Sequence, residues 1–384
     1  MTATTDTTEP TFLDPEHLQL RDRAREETRG LELHEHASGR VLWAELRRLG
    51  YPRHLVPRAF GGKREAVSVR SLCVLREEVA YRNAAADAIF AVAGLGSQPV
   101  LLAGAEAQKK ELLPQVAEGR VLFAFALTEP EAGSDVAALR ATAAREGDGY
   151  RLSGVKRFIT NAGIATHYTV FARTSPGPRG ISAFVVPAGT PGLRVDTSLK
   201  LMAEHPIGEL VFDSCRVPAS ALPGTEGAGM RLALGTLDLF RATVGAAAVG
   251  MARRALAEAL GYARKRQQFG APLADLPAVQ ALLADSAVEL DASRLLVHRA
   301  AAARDQGRER VTYEAAVAKL FATEAAQRII DRALQIHGGN GVVKGFMVER
   351  LYRDIRSLRI YEGATEVQRM VIARELLKED RALG

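Results

Sequence analysis

The pattern of apolar residues changes twice along the 384-residue chain, and these changes most limit its fold. From about 13 to 118 the chain is rich in Ala, Leu, Arg and Glu, as is typical of helices. From about 121 to 217, short alternating segments such as VLFAFAL and ISAFVVPA stand between Gly and Pro clusters. These segments predict a small antiparallel β-domain. From about 229 the helical pattern returns, with apolar residues on one face at Val279, Leu282, Leu283, Ala287 and Leu290.

This order predicts an α+β fold that is mostly α, in three domains. We expect a helical domain over 1–122 with disordered first residues, a β-domain over 123–227, and a helical domain over 228–384. The last domain contains the run RATVGAAAVGMARRALAEALGYARKR. Its small residues would let neighbouring helices approach closely, although a biased composition explains any single Ala equally well.

Composition excludes several classes of protein. Cys73 and Cys215 lie far apart, which argues against a disulfide framework, and the polar N-terminus does not resemble a signal peptide. No uninterrupted apolar run has the length of a membrane span, so we expect a cytoplasmic protein without membrane contact. The net charge of +6 fits a phosphate-rich ligand or an Arg-rich surface, but the mixing of basic with acidic residues argues against nucleic-acid binding.

Two motifs near the C-terminus bear on function. QIHGGNG occupies 335–341, and VERLYRDIRSLRIYEGATEVQR at 348–369 places Glu362 between Tyr361 and Gly363. Taken alone, a Glu in such a charged run is most often a solvated or ion-paired helix residue. His337 has no second His or Cys at ligand spacing, so we expect a packed histidine, or one beside a cofactor, and no metal site.

Both motifs together resemble the C-terminal signature of the acyl-CoA dehydrogenase family. Three further segments are similar to this family and follow in its order: FALTEPEAGSD at 125–135, GVKRFITNAG at 154–163 and RQQFG at 266–270. The resemblance covers about 13 to 378 and implies a helical domain, a β-domain and a C-terminal four-helix bundle. It also implies FAD as the cofactor.

The resemblance assigns cofactor contacts to residues in all of these segments. They are Phe125, Leu127, Thr128, Gly133, Ser134, Phe158, Ile159, Thr160, Arg266, Phe269, Gln335, Gly338, Gly339 and Thr365. Thr128 would bond the flavin ring, Thr160 would lie near flavin N5, and Phe158 stands where the family often has Trp. Arg266, Phe269 and Gln335 would reach the FAD of a neighbouring subunit, which implies a homodimer or homotetramer.

The substrate contacts implied by the resemblance are Ser134, Asp238, Phe240, Arg241, Tyr361 and Gly363. Some relatives carry their catalytic Glu just before the Arg, where this chain has Phe240, so the base is assigned to Glu362. Phe240 either shapes the acyl pocket or is ordinary bundle core. A further departure is Ala364-Thr365, where the family commonly has Thr-Ser.

The implied reaction converts an acyl-CoA to a trans-2-enoyl-CoA in fatty acid metabolism. Glu362 would remove the α-proton, flavin N5 would accept the β-hydrogen as hydride, and an electron-transfer flavoprotein would reoxidise the flavin. Such a base needs desolvation that raises its pKa above the ordinary value. Three alternatives stay open: the same reaction on a carrier-protein thioester, a flavin oxidase or monooxygenase, and a non-catalytic relative. Glu362 argues against the second, and Arg266, Gln335 and Glu362 argue against the third.

Overall fold

The computed structural model describes residues 12–34, 37–177 and 179–378, so the N-terminal residues predicted to be disordered lie outside its described part. Contacts divide the chain into two compact units. The helical unit comprises Met1–Glu32, Val69–Ala84 and Arg241–Gly384, and the β unit comprises Leu33–Ser68 and Ala85–Phe240. Element order is helical, then β, then helical, as the sequence predicts. Contacts, however, group the first and third helices with the C-terminal ones.

The described residues form ten α-helices and nine strands. The helices are α1 Pro15–Glu27, α2 Gly39–Arg48, α3 Val69–Arg82, α4 Ala84–Ala103, α5 Glu106–Ala117, α6 Gly229–Lys265, α7 Pro277–Asp305, α8 Thr312–His337, α9 Met347–Leu358 and α10 Thr365–Leu376. The strands are β1 Phe123–Ala126, β2 Thr142–Glu146, β3 Gly149–Thr160, β4 His167–Arg173, β5 Ile181–Pro187, β6 Leu193–Asp196, β7 Ile207–Pro218, β8 Gln267–Gln268 and β9 Ala271–Pro272.

Seven strands of the β unit form one sheet in the order β1-β4-β2-β3-β7-β6, with β5 paired to β4. The predicted antiparallel pairing holds for β2–β3, β3–β7, β4–β5 and β6–β7. β1 instead joins β4 in parallel, and one residue pair joins β2 to β4 in parallel as well. Apolar side chains fill the core of this unit, where the rings of Tyr150 and Phe184 meet edge to face at 5.0 Å.

In the helical unit, α3 lies between α1 and α7, and α8 packs against α7, α9 and α10. The small residues of α6 allow close packing, as the sequence suggests. A Cβ built on Gly250 would lie 2.2 Å from the carbonyl oxygen of Glu77, and one on Gly245 would lie 2.7 Å from Val297. Both glycines are therefore required by packing, because a side chain would collide with the adjacent helix.

Two helices, α4 and α6, are long and apolar enough by length and composition to cross a membrane, although neither contains an uninterrupted apolar run of membrane-spanning length. Of their most apolar stretches, 72% and 78% respectively are buried inside the protein. Core helices of soluble proteins pass the same test, and burial accounts for the apolar character of these two.

Candidate active site

Glu362 lies in the short connection between α9 and α10, in a conformation that is uncommon for its residue type. Its φ is +50° and that of Gly363 is +94°, and both residues are half-buried. A non-glycine residue in the left-handed region is strained and persists where the surrounding structure enforces it. Such residues cluster at functional sites, so the backbone independently marks Glu362 as a candidate catalytic residue.

Two side chains hold the carbonyl groups beside Glu362. Lys319 on α8 donates to the carbonyl oxygen of Gly363 at 2.8 Å. Gln368 on α10 donates to the same oxygen at 3.1 Å and, more weakly, to the carbonyl oxygen of Glu362 at 3.4 Å. A Cβ built on Gly363 would lie 2.1 Å from Nε2 of Gln368 and 4.0 Å from Nε of Arg241. The structure thus brings together Glu362, Gly363 and Arg241, three residues that the resemblance assigns to the site.

A second group of contacts holds the two ends of this connection, at Arg359 and Thr365, close together. The carboxylate of Glu324 accepts from Arg359 at 2.9 Å and from the hydroxyl of Thr365 at 2.6 Å, and the amide of Thr365 donates to the carbonyl of Arg359 at 3.0 Å. Arg359 and Thr365 lower the pKa of Glu324, which keeps it charged. Because the hydroxyl of Thr365 already donates its proton to Glu324, it could only accept a hydrogen bond in the predicted contact with the cofactor.

The QIHGG segment ends α8 with an exposed pair of glycines. Gly338 has a φ of 57° and a ψ of −136°, a combination open mainly to glycine. A Cβ built on Gly338 or Gly339 would meet no atom within 4 Å. His337 is buried, stacks on Tyr262 at 4.3 Å and donates from Nδ1 to the carbonyl of Ala333 at 2.7 Å, so it is a packed histidine. Gln335 is exposed.

The RQQFG segment forms a small hairpin of β8 and β9 after α6. Phe269 is 92% exposed at φ +52°, and Arg266 is also exposed. A fully exposed Phe in a strained conformation is typical of a contact with something outside the chain. This geometry is compatible with the predicted contact to a neighbouring subunit's cofactor.

In the β unit, residues of β3 form hydrogen bonds that hold the turn after β1 in place. Lys156 is fully buried and donates to the carbonyl of Leu127 at 3.0 Å and to the carboxylate of Glu129 at 2.7 Å. The amide of Arg157 donates to the carbonyl of Thr128 at 2.9 Å. Glu129 also accepts from the amides of Arg140 and Ala141. The predicted flavin-binding turn is therefore fixed by a buried ion pair and four backbone contacts.

An irregularity in β3 places Phe158 outside the core. The register against β7 shifts between Lys156 and Ile159, and Phe158 has a φ of 57° and is 53% exposed. Ile159 is buried in the sheet core, so only its backbone could contact a cofactor. The hydroxyl of Thr160 lies 3.4 Å from Nε2 of His205, and burial lowers the pKa of His205 to about 4, which keeps its ring neutral.

The remaining predicted contacts of the β unit divide into exposed and buried residues. Gly133 and Ser134 are exposed, and a Cβ built on Gly133 would meet nothing within 4 Å. Phe125 and Thr128 are half-buried, and Leu127 is buried. Open space at Gly133, without a packing reason for glycine, fits a residue of the β unit that a large cofactor approaches closely. The residues present therefore fit FAD.

Phe240 is core in the β unit. It is 2% exposed, and a Cβ built on Gly94 of α4 would lie 2.7 Å from its ring. Asp238 is half-buried on the same helix, α6, and Arg241 is buried. The sequence leaves two interpretations of Phe240 open, a residue of the acyl pocket or a core residue. This contact favours the core residue.

Sequence reasoning missed the residues that support the site. They are Glu129, Lys156, Lys319, Glu324 and Gln368. A signal existed for Lys319, a lone lysine in the apolar run AAVAKLFA, because buried lysines are rare without a specific role. Among the described residues, no group of three or more His, Cys, Asp or Glu side chains could hold a metal ion.

Comparison with known proteins agrees with this geometry. Models of the acyl-CoA dehydrogenase N-terminal, middle and C-terminal domains match residues 14–120, 124–215 and 227–377. The chain is 41% identical over 334 residues to cyclohexane-1-carbonyl-CoA dehydrogenase of Geobacter metallireducens, covering 86% of this chain and 87% of that protein.

Solved structures show the same likeness. Butyryl-CoA dehydrogenase of Megasphaera elsdenii matches with a TM-score of 0.91 at 35% identity, covering 95% of this chain and 99% of that one. The prolyl acyl carrier protein oxidase AnaB matches with a TM-score of 0.89 at 27% identity, covering 95% and 100%. The predicted fold class is confirmed, and the chain belongs to the acyl-CoA dehydrogenase family of FAD-dependent oxidoreductases.

Proposed function

We propose that the protein removes the α- and β-hydrogens of an acyl-CoA, with Glu362 as the base that takes the α-proton. The observation that carries this role is the strained, half-buried position of Glu362, held by Lys319 and Gln368. A base poised for proton abstraction has to keep a fixed direction, because a small displacement from the reacting atom lowers the rate steeply.

The charges around Glu362 favour its ionised form. Burial lowers the pKa of Lys319, and the negative charge of Glu362 acts in the opposite direction. Arg241 is buried next to Gly363 and adds a second positive charge. Opposite charges stabilise a carboxylate, and partial burial opposes them. Two positive charges therefore lie near Glu362, which has to be ionised before it can accept a proton.

FAD, when bound, accepts the β-hydrogen together with its electron pair. In the β unit, the turn at Thr128 and Ser134 and the exposed ring of Phe158 would hold this cofactor, with the hydroxyl of Thr160 as a donor. In the helical unit, Arg266, Gln335 and Gly339 are the candidates. An arginine suits the pyrophosphate because its guanidinium can donate two parallel hydrogen bonds.

For the acyl group, we favour a short or cyclic chain. The relative of G. metallireducens is named for a cyclohexane-1-carbonyl thioester, and the M. elsdenii structure for a butyryl thioester. Both names fit a compact acyl group on CoA.

The electron acceptor and assembly state follow the family in this proposal. An electron transferring flavoprotein structure of Acidaminococcus fermentans contains a chain that matches with a TM-score of 0.91 at 35% identity over 96% of this chain and 99% of that one, which supports such a partner. The exposed Phe269 supports a homo-oligomer, for which we favour the homotetramer over the dimer. A role in fatty acid metabolism and a cytoplasmic location stay predictions from the sequence.

The test is anaerobic titration of the purified flavoprotein with butyryl-CoA, cyclohexane-1-carbonyl-CoA, palmitoyl-CoA and a butyryl carrier protein. Bleaching of the flavin absorbance by either of the first two supports the proposal. Bleaching by the carrier protein alone transfers the reaction to that substrate class, for which the AnaB likeness is the precedent. Rapid oxygen consumption during turnover would indicate an oxidase, and a colourless protein would refute the enzymatic role.

A further inference from the structure

Lys319 is a buried charge on α8. It lies in the middle of α8 with 0% of its surface exposed, among the buried residues Ala315, Ala316, Ala318 and Ala322. Burying an ammonium group is costly unless a counter-charge and hydrogen bonds compensate it. Its ammonium group donates a hydrogen bond to the carbonyl oxygen of Gly363, the residue after Glu362.

We propose that Lys319 is a positioning residue that fixes Glu362 in its left-handed conformation and keeps a positive charge beside the carboxylate. This inference rests on the proposed role of Glu362 as the base. Lys319 acts through the carbonyl of Gly363. Glu324, five residues further along α8, holds the two ends of the same connection through its hydrogen bonds with Arg359 and Thr365. One rigid helix thereby sets the position of the whole connection.

The groups around Lys319 show why its charge matters. Burial lowers the pKa of Lys319 to about 8, while the negative charges of Glu362, Glu324 and Glu366 raise it and Arg241 lowers it. Lys319 is therefore largely protonated at neutral pH, with Glu362 as the main electrostatic counterpart. Because the interaction is mutual, the ammonium also favours the ionised carboxylate. The hydrogen bond to Gly363 is a charge-assisted one, which is stronger than a neutral bond.

Two variants of the FAD-loaded protein separate the two effects. Lys319→Met removes the donor and the charge, whereas Lys319→Gln keeps a neutral donor. The exposed Lys110→Met in α5 is the matched control. The first measurement is amide hydrogen exchange of a peptide covering 359–366, and the second is the pH profile of flavin reduction by the acyl-CoA that bleaches the wild type.

We expect Lys319→Met to accelerate exchange in 359–366 about 10-fold or more, to slow flavin reduction about 10- to 100-fold, and to move the acid limb of the pH profile to higher pH. Lys319→Gln should recover part of the exchange protection and show the same displaced pH profile. Unchanged local exchange in both variants, or an undisplaced pH profile, overturns the inference. If no acyl thioester bleaches the wild type, the proposed function fails, while hydrogen exchange still decides whether Lys319 holds the connection.

Discussion

Replacing Gly363 by Ala tests how the structure enforces the conformation of the connection that carries Glu362. Gly363 has a φ of +94°, and a Cβ built there would lie 2.1 Å from Nε2 of Gln368. The side chain of Gln368 is fully buried, so it cannot rotate into water to relieve the collision. Gly363→Ala therefore combines backbone strain with the displacement of a buried amide.

The expected cost follows from these two effects. An L-residue in a left-handed conformation costs about 1–2 kcal/mol. Displacement of Gln368 breaks its hydrogen bonds to the carbonyls of Gly363 and Glu362, each worth about 0.5–1.5 kcal/mol. We expect Gly363→Ala to lower the free energy of unfolding by about 2–5 kcal/mol. In a Gln368→Ala background the collision is absent, and only the strain of about 1–2 kcal/mol should remain.

The measurement is urea unfolding of the four proteins of this double-mutant cycle, with FAD held at one saturating concentration. Gly261→Ala in α6 is the control, because its Cβ would meet no atom within 4 Å, and it should be neutral or slightly stabilising. Gly363→Ala should also slow flavin reduction, because it moves Glu362. A destabilisation that is the same with and without Gln368 would refute the reasoning.

Two further predictions concern one buried ionisable group in each unit, Lys156 in the β unit and His298 in the helical unit. Lys156→Met removes one partner of a buried pair and leaves Glu129 in the core, so it should cost about 3–5 kcal/mol of stability and reduce the FAD content of the purified protein; unchanged FAD content and urea midpoint would contradict it. Burial lowers the pKa of His298 to about 4, with Glu77 opposing this shift and Arg294, Arg21 and His17 reinforcing it. The unfolded chain therefore binds this proton near pH 6.5 and the native one only near pH 4, so stability falls as pH drops through this window, by up to about 3 kcal/mol. Unfolding at pH 7 and pH 5 should show a smaller loss in His298→Leu than in the wild type, and equal losses would refute the assignment.

The order of elements could be predicted from the sequence, because the spacing of apolar residues and the Gly and Pro clusters between segments are local properties. The alternating segments became strands, and the Ala-rich run became part of α6 with the close helix packing that its small residues suggest. Pairing partners are not local. The parallel pairing of β1 with β4 and the grouping of α1 and α3 with the C-terminal helices depend on contacts between distant residues, for which periodicity carries no signal.

The candidate site was predictable only where a motif marks it. Glu362, Gly363 and Arg241, which motifs single out, lie close together in the helical unit. The left-handed conformation of Glu362 was not readable, because nothing in a glutamate's chemistry favours a positive φ. Lys319 and Gln368 were missed because their burial depends on how α8 and α10 pack. The same limit applies to Phe158 and Ile159, whose opposite burial results from a register shift in β3.

The measurement that tests the central claim most directly is anaerobic stopped-flow reduction of the FAD-loaded Glu362→Gln variant. With the acyl-CoA that bleaches the wild type, this variant should keep its FAD and its visible spectrum but reduce the flavin at least about 100-fold more slowly, because the base is lost. Glu366 is exposed and lies four residues after Glu362, at the start of α10. The control variant Glu366→Gln should behave like the wild type. Near-wild-type reduction by Glu362→Gln would contradict the assignment of Glu362 as the base.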